Sequence, residues 1–243
     1  MGNEVQCCFK RIEKKYLLTP AQYRAMRQGM APYVTADQYA NYTICNLYYD
    51  TEDFQLIRTS LDKPVYKEKL RMRSYGVASD DSRVFLELKK KFDGVVYKRR
   101  EILDAAAAAR YLHQGRKPDR DSQIFREIDY FMESYHPVPQ VFIAYDRGAW
   151  AGIENPELRV TFDTRLRART TRLDLRLGDD GAPILPPDQV LMELKIPGAA
   201  PLWLARLLSE NGIFSTSFSK YGTWYKQELL CQGIPAVETP AAA

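Results

Sequence analysis

The chain has 243 residues, 45% of them hydrophobic and 12% aromatic, enough to bury a sizeable core as one large domain. Its 35 basic and 31 acidic residues leave a net charge of only +4, which excludes a general nucleic-acid coat and makes any strong basic field local. No apolar run approaches the ~20 residues that span a bilayer, and Met1-Gly2-Asn3-Glu4 has neither the basic start nor the apolar core of a secretory signal, so a cytoplasmic protein is expected.

Gln6 stands where N-myristoylation wants Ser or Thr, which argues against a lipid anchor at Gly2. Cys7, Cys8, Cys45 and Cys231 show neither a CxxC pair nor zinc spacing, so reduced thiols are expected.

Residues Phe9 to Leu17 alternate, with Arg11, Glu13 and Lys15 on one face of a predicted strand. Thr19-Pro20 caps and starts a helix to about Met30. A strand is predicted over 43–50, then a short helix opened by Asp50-Thr-Glu-Asp. Three strongly charged strands follow. Residues 65–74 carry Lys67, Lys69, Arg71 and Arg73 on one parity against Leu70 and Met72. Residues 83–91 carry Glu87, Lys89 and Lys91 against Leu86 and Leu88, and residues 95–101 run back through Lys98, Arg99 and Arg100.

Asp104 caps an alanine-rich helix through His113, and Asp121 or Ser122 opens another with Ile124, Phe125, Ile128 and Phe131 at helical spacing. Strands are predicted over 138–147, with Tyr145 and Arg147, and over 157–163, with Arg159 opposite Leu158, Val160 and Phe162. Arg165, Arg167 and Arg169 alternate in a further strand or arm. A strand over 189–196 places Glu193 and Lys195 opposite Met192, Leu194 and Ile196. Pro201 starts an amphipathic helix closed by Asn211-Gly212, and Ser215 begins the last helix. A single domain over residues 1–230 is expected, with a Pro/Ala-rich, disordered tail over 231–243.

These are eight principal strands, most of them with one charged face. A closed eight-stranded sheet has an interior wide enough for side chains or one small ligand. If this sheet closes with its apolar faces under helices, the interior holds many cations. Like charges about 4 Å apart cost on the order of 4 kcal/mol at an effective dielectric near 20, so carboxylates and a polyanion must fill it.

The two histidines, His113 and His136, fall at helix ends and support no nucleophilic relay, and neither GxxxxGK[ST] nor GxGxxG occurs. What remains is Arg11, Lys15, Lys69, Arg71, Arg73, Lys89, Lys98, Arg100, Arg147, Arg159 and Lys195 against Glu13, Glu87 and Glu193. Phosphoryl transfer needs that kind of set: charge neutralisation, alignment and a divalent metal. The three glutamates are either metal ligands or cross-strand braces to Lys and Arg, with the metal reading favoured for Glu193.

Arg11-Ile-Glu13-Lys-Lys15-Tyr, Leu70-Arg71-Met-Arg73, Glu87-Leu-Lys89, Lys98-Arg99-Arg100, Tyr145-Asp-Arg147, Leu158-Arg159-Val-Thr-Phe-Asp163, Met192-Glu193-Leu-Lys195 and Ser217-Phe-Ser-Lys220-Tyr221 come in the order seen in the VTC domain. This is the polyphosphate polymerase domain of the vacuolar transporter chaperone complex, within the triphosphate tunnel metalloenzymes. The resemblance covers about residues 8 to 228.

The resemblance implies an α+β fold, with a closed, mainly antiparallel β tunnel and helices packed outside. It implies transfer of the γ-phosphate of ATP to polyphosphate, with Mn²⁺ or Mg²⁺, no nucleic acid, and room for a membrane-protein partner. By resemblance Lys15, Lys69, Arg71, Arg73, Lys89, Lys98, Arg147 and Arg159 line the phosphate path and Tyr145 hydrogen-bonds a phosphate. Glu193 looks like the metal ligand beside Lys195, and Ser217 and Lys220 hold phosphate at a helix N-terminus. The hydrolytic and cyclase branch opens with Glu-x-Glu-x-Lys. Arg11 replaces the first Glu here, which favours the polymerase over a triphosphatase or polyphosphatase. A non-catalytic polyphosphate-binding sensor is the further alternative.

Overall fold

The computed structural model describes residues 11–231 apart from Gly94 and Arg120; the side chains of Arg11, of residues 38–40 and of residues 229 and 230 also lie outside the description. The expectations for Cys7, Cys8, the side chain of Arg11 and the tail after Cys231 fall outside it. Cys45 and Cys231 are free thiols, Cys45 buried.

The elements follow the expected order: β1 (Arg11–Leu18), α1 (Pro20–Met30), β2 (Val34–Asp50), α2 (Gln55–Leu61), β3 (Tyr66–Tyr75), β4 (Arg83–Phe92), β5 (Val95–Asp104), α3 (Ala105–Gln114), α4 (Gln123–Tyr135), β6 (Val138–Gly152), β7 (Arg159–Arg169), β8 (Ala182–Pro183), β9 (Val190–Pro197), α5 (Leu202–Glu210) and α6 (Lys220–Cys231). The fold is α+β. The sheet order is β1-β9-β7-β6-β2-β3-β4-β5, with the two-residue β8 against β7. The hydrogen-bonded path thus has two ends, β1 and β5. The eight principal strands match expectation, while closure into a tunnel does not follow from this path.

Several boundaries differ from expectation. β2 begins at Val34, nine residues before Thr43. β7 runs on through Leu166 to Arg169, so the expected further strand or arm is its continuation, after a kink at Arg165 where φ is 49°. The last helix begins at Lys220 rather than at Ser215. Its first turn is capped by Ser219, whose Oγ accepts from the Gly222 N–H at 3.2 Å.

The helix starts at Thr19 and Ser122 are as local chemistry dictates. Thr19 Oγ1 accepts from the Gln22 N–H and Gln22 Oε1 from the Thr19 N–H, closing a capping box around Pro20. Ser122 Oγ accepts from the Phe125 N–H at 3.1 Å.

The chain forms two compact units. Among the described residues the first contains 11–42, Asp146–Arg165 and Leu185–Phe218; the second contains Thr43–Tyr145, Leu166–Ile184 and 219–231. β2, β6 and β7 contribute residues to both. In the first unit, Met26 and Met30 of α1 and Leu204 of α5 pack on Val160, Phe162, Met192 and Leu194. In the second, Ala108, Leu112, Phe125, Ile128 and Phe131 of α3 and α4 pack on Leu70, Met72, Leu86 and Leu88. Helices therefore cover one parity of β3, β4, β7 and β9. The other parity, which carries the charges, is left to the opposite face.

Gly181 needs to be glycine where the segment after β7 folds back. A Cβ there would lie 2.6 Å from the Ala168 carbonyl oxygen, and Ala168 pairs with Ala182 in the next step of the ladder.

Candidate functional site

Antiparallel register fixes which charges meet in the second unit. Tyr48 of β2 lies opposite Arg71 of β3, Arg71 opposite Glu87 of β4, and Glu87 opposite Arg100 of β5. The adjoining rows are Asn46–Arg73 and Lys69–Lys89–Lys98. Directly opposed side chains on one face lie within reach of each other, so four strands converge on Glu87.

The Glu87 side chain is 1% exposed and meets four cations. Arg71 Nε donates to Oε2 at 2.7 Å and Arg73 Nε lies 3.7 Å from the same oxygen. Lys98 Nζ and Arg100 Nη2 each lie 2.6 Å from Oε1. Neutral groups orient the arginines further. Arg71 donates to the Tyr48 hydroxyl at 3.2 Å, and Arg73 donates to Asn46 Oδ1 at 3.1 Å. Arg100 lies 4.6 Å over the Phe85 ring.

One carboxylate cannot balance four cations, so these five groups keep a formal charge of +3 on a strand face. Burial alone would raise the Glu87 carboxyl, but Arg71, Arg73 and Lys98 outweigh it and hold the group far below the usual carboxylate range. Lys98 is pushed the other way. Burial lowers its ammonium, Glu87 opposes that, and Arg73 and Arg100 add to the lowering, leaving it at about 8. Both carboxylate oxygens of Glu87 are engaged by cations, the geometry of a cross-strand brace.

An aromatic platform adjoins this cluster. Tyr48 stacks on Tyr221 with centroids 5.0 Å apart, and Tyr221 stacks on Trp224 at 5.8 Å. Lys69 Nζ lies 5.9 Å from the Tyr221 ring centroid and Lys220 Nζ 4.2 Å from that of Tyr145. Beneath the platform the fully buried Asp50 accepts from the Tyr221 hydroxyl at 2.8 Å and from the N–H groups of Thr51, Leu56 and Ile57 at 2.8–2.9 Å. The same carboxylate thus caps α2 and tethers α6.

The first unit brings together a different set. Across β1, β9 and β7 the rows are Glu13–Lys195–Arg159 and Lys15–Glu193–Thr161. Lys15 Nζ donates to the Phe218 carbonyl at 3.1 Å and lies 3.6 Å from Glu13. Lys195 Nζ lies 3.4 Å from Glu193. Arg147 forms a two-pronged pair with the fully buried Asp163, at 2.6 and 2.8 Å, and Arg159 pairs with Asp37. Ser217 is exposed, ahead of the residues that cap α6. Arg167 and Arg169, in the second unit, serve the loop after β7. Arg167 pairs with Asp179, and Arg169 donates to the carbonyls of Arg172, Asp174, Gly178 and Asp180.

Among the described residues no group of three or more acidic, His or Cys side chains converges as a metal cage. Glu13 and Glu193 occupy diagonal positions on neighbouring strands of the first unit. A hard divalent ion takes carboxylate oxygens supplemented by phosphate oxygens, and here Glu13 and Glu193 are each paired with a lysine, Lys15 at 3.6 Å and Lys195 at 3.4 Å.

Sequence reasoning missed Asn46, Tyr48, Asp37 and Asp163 as partners, and read Asp50 only as opening α2. Asn46, Tyr48 and Asp50 carried a legible signal, being one parity of a strand. Asp37 lies 122 residues from Arg159 and carried none.

The profile of the family described as the VTC domain matches residues 10–228. Among solved structures, a candidate adenylyl cyclase from Hippeastrum, described as having a dominant triphosphatase activity, is similar with a TM-score of 0.52 at 16% identity, covering 89% of this chain and 96% of that one. A candidate adenylate cyclase from Bacillus halodurans aligns with a TM-score of 0.46 at 14% identity over 95% and 94% of the two chains. A comparison with curated proteins returned no match.

Proposed function

The chain belongs to the VTC domain family, and we propose that it is a phosphotransferase that moves the γ-phosphate of ATP onto a polyphosphate chain. The observation that carries this reading is the cluster on Glu87: four cations on one carboxylate, preset on rigid strands, with a formal excess of +3. A triphosphate supplies the missing negative charge. Arg71, Arg73 and Arg100 offer planar donors that match phosphate oxygens, and Lys98 and Lys69 offer compact point charges.

In the proposed reaction a terminal phosphate oxygen of the acceptor attacks the γ-phosphorus in line, the bond from that phosphorus to the β,γ-bridging oxygen breaks, and ADP leaves. Arg71, Arg73, Lys98 and Arg100 hold the nucleotide phosphates and stabilise charge gathering on the transferring group. The acceptor is already ionised, so no side chain need act as a general base. Glu193 and Glu13 would hold the divalent ion, Mn²⁺ or Mg²⁺, which neutralises phosphate charge when bound. Closure of the sheet into a tunnel belongs to the same proposal. So do the roles of Arg11, Lys15, Lys89, Tyr145, Arg147, Arg159, Lys195, Ser217 and Lys220 along the phosphate path; these rest on the family resemblance.

A triphosphatase is the second reading, favoured by the described activity of the Hippeastrum protein. Arg11, standing where the hydrolytic branch has a first glutamate, favours the polymerase. Incubation of the purified chain with ATP and Mn²⁺, with products resolved on a gel, separates them. A ladder of lengthening polyphosphate is expected. Phosphate release without a ladder would establish the triphosphatase, and tight triphosphate binding with no ATP loss a sensor.

A further inference from the structure

The charged strands of the second unit do not end where their helices end. Val65, Tyr66, Phe92, Val95, Val96 and Tyr97 are 43–65% exposed, although each stands in or beside a strand. Register places Tyr66 opposite Phe92, and Phe92 opposite Val95, so three of them meet on one face. Farther along the same face Leu70 and Leu88 are fully buried in the core under α3 and α4. The apolar face therefore projects beyond its cover. The Asp93 N–H donates to the Val65 carbonyl at 2.9 Å and ties the start of β3 to the end of β4. Single exposed apolar side chains are ordinary, but Tyr66, Phe92, Val95 and Tyr97 on one face of three adjoining strand ends are a patch.

The other face of the same tip is basic. Lys67 lies directly opposite Lys91, an arrangement that like charges disfavour. Burial lowers the Lys67 ammonium, and Lys91 and then Lys63 lower it further, so these three lysines share one field. Residues 62–67 and 90–99 contain Lys63, Lys67, Lys90, Lys91, Lys98 and Arg99 against only Asp62 and Asp93. Lys90 and Arg99 spend their charge on Glu127, at 3.0 and 3.4 Å, which leaves the lysine trio to set the field.

We propose that this tip of β3, β4 and β5 docks on an anionic lipid surface, with Tyr66, Phe92 and Val95 entering the interface and Lys63, Lys67 and Lys91 held at the headgroups. An apolar edge with a lysine collar is the chemistry of an interfacial element, and aromatic rings favour that depth. A second copy of the chain fits less well, because pairing two such tips would oppose lysine to lysine. No helix among the described residues is long and apolar enough to cross a membrane. The proposal is independent of the phosphotransferase reading.

The test is co-sedimentation of the full chain with vesicles of phosphatidylcholine alone and of phosphatidylcholine with phosphatidylglycerol. Binding to the anionic vesicles only, weakened by salt, is expected. A Tyr66→Ser, Phe92→Ser, Val95→Ser variant should bind at least about 10-fold more weakly, since each apolar side chain that enters the interface adds to binding. Lys63→Ala with Lys91→Ala should lose about 25-fold, at roughly 5-fold per cation near an anionic surface. The serine variant should keep its triphosphate-induced melting shift, which separates this result from failure of the phosphotransferase reading. If that variant fails to fold, the lysine pair alone decides. Equal binding to neutral vesicles, absence of binding to either, or parental binding by the variants would overturn the proposal. So would a dimer in sedimentation that the serine changes dissociate.

Discussion

At Glu87 a single buried carboxylate holds four cations together, and the consequences of removing either sign differ. Glu87→Gln keeps the shape but leaves Arg71, Arg73, Lys98 and Arg100 without their counter-charge. Breaking a buried pair this way costs about 3–5 kcal/mol, so melting in the absence of ligand should drop markedly. Added triphosphate should restore more stability to Glu87→Gln than to the parent. Arg71→Ala, by contrast, leaves three cations on Glu87 and should cost far less stability while weakening triphosphate binding.

The carboxyl of Glu87 is depressed in the folded state, so its contribution is fully present above the unfolded value of about 4.3 and is lost as pH falls through the lower folded value. Lys98 has the opposite sense. Its folded value of about 8 lies below the ordinary value of about 10.4, so the unfolded chain binds the extra proton between them. Ligand-free stability from this group therefore rises as pH goes from about 8 to about 10.4. Triphosphate affinity should fall over the same start of the range, because a cation is lost. Titration calorimetry from pH 7 to 9 reads this, and Lys98→Arg should flatten the step. An unchanged step in that variant would mean another group titrates.

Among the elements, α6 and α2 are joined to the cation cluster through Asp50 and Tyr221. Asp50→Asn offers an N–H₂ where Ile57 N–H and the Tyr221 hydroxyl need an acceptor. A loss of about 1–3 kcal/mol is expected from the unsatisfied donors, read by chemical denaturation. If the Tyr48–Tyr221 stack positions Lys69 and Arg71, triphosphate affinity falls as well. Tyr221→Phe keeps the ring under Lys69 and loses only the tether, so it should bind triphosphate nearly as the parent does. Equal affinity loss in both variants would instead point to general loosening of α6.

The same elements mark what period and punctuation reveal. The parity of Arg71, Glu87 and Arg100 was legible because alternating Leu and Met residues fix which face is buried. Thr19-Pro20 was legible as a helix start because its chemistry is local. The first nine residues of β2 were not, since Val34 to Tyr42 mixes Ala, Asp, Gln and Asn without alternation. Arg165, at φ 49°, breaks the strand pattern of β7, which hid its continuity. The acidic partners of Arg147 and Arg159 were hidden because assembly of the sheet, not spacing along the chain, brings Asp163 and Asp37 to them.

At the scale of the whole chain, each unit has its own core, and the four cations gathered on Glu87 lie in the second. The excess charge around Glu87 should make the second unit the one that triphosphate stabilises. A ligand at 100 times its dissociation constant contributes about 2.7 kcal/mol. For a chain of this size that is on the order of 5–10 °C in melting temperature. Phosphate or sulfate should act more weakly, because each neutralises fewer cations. Tetraphosphate should act at least as strongly, because a longer polyanion also meets the row of Lys69, Lys89 and Lys98. Sodium chloride at equal ionic strength should not stabilise, since screening spreads over all surface charge and fills no preset cradle. Scanning calorimetry with these additions measures the order directly. Equal shifts from chloride and triphosphate would mean that the basic strand faces are ordinary solvated surfaces, and the proposed phosphate chemistry would fall with that result.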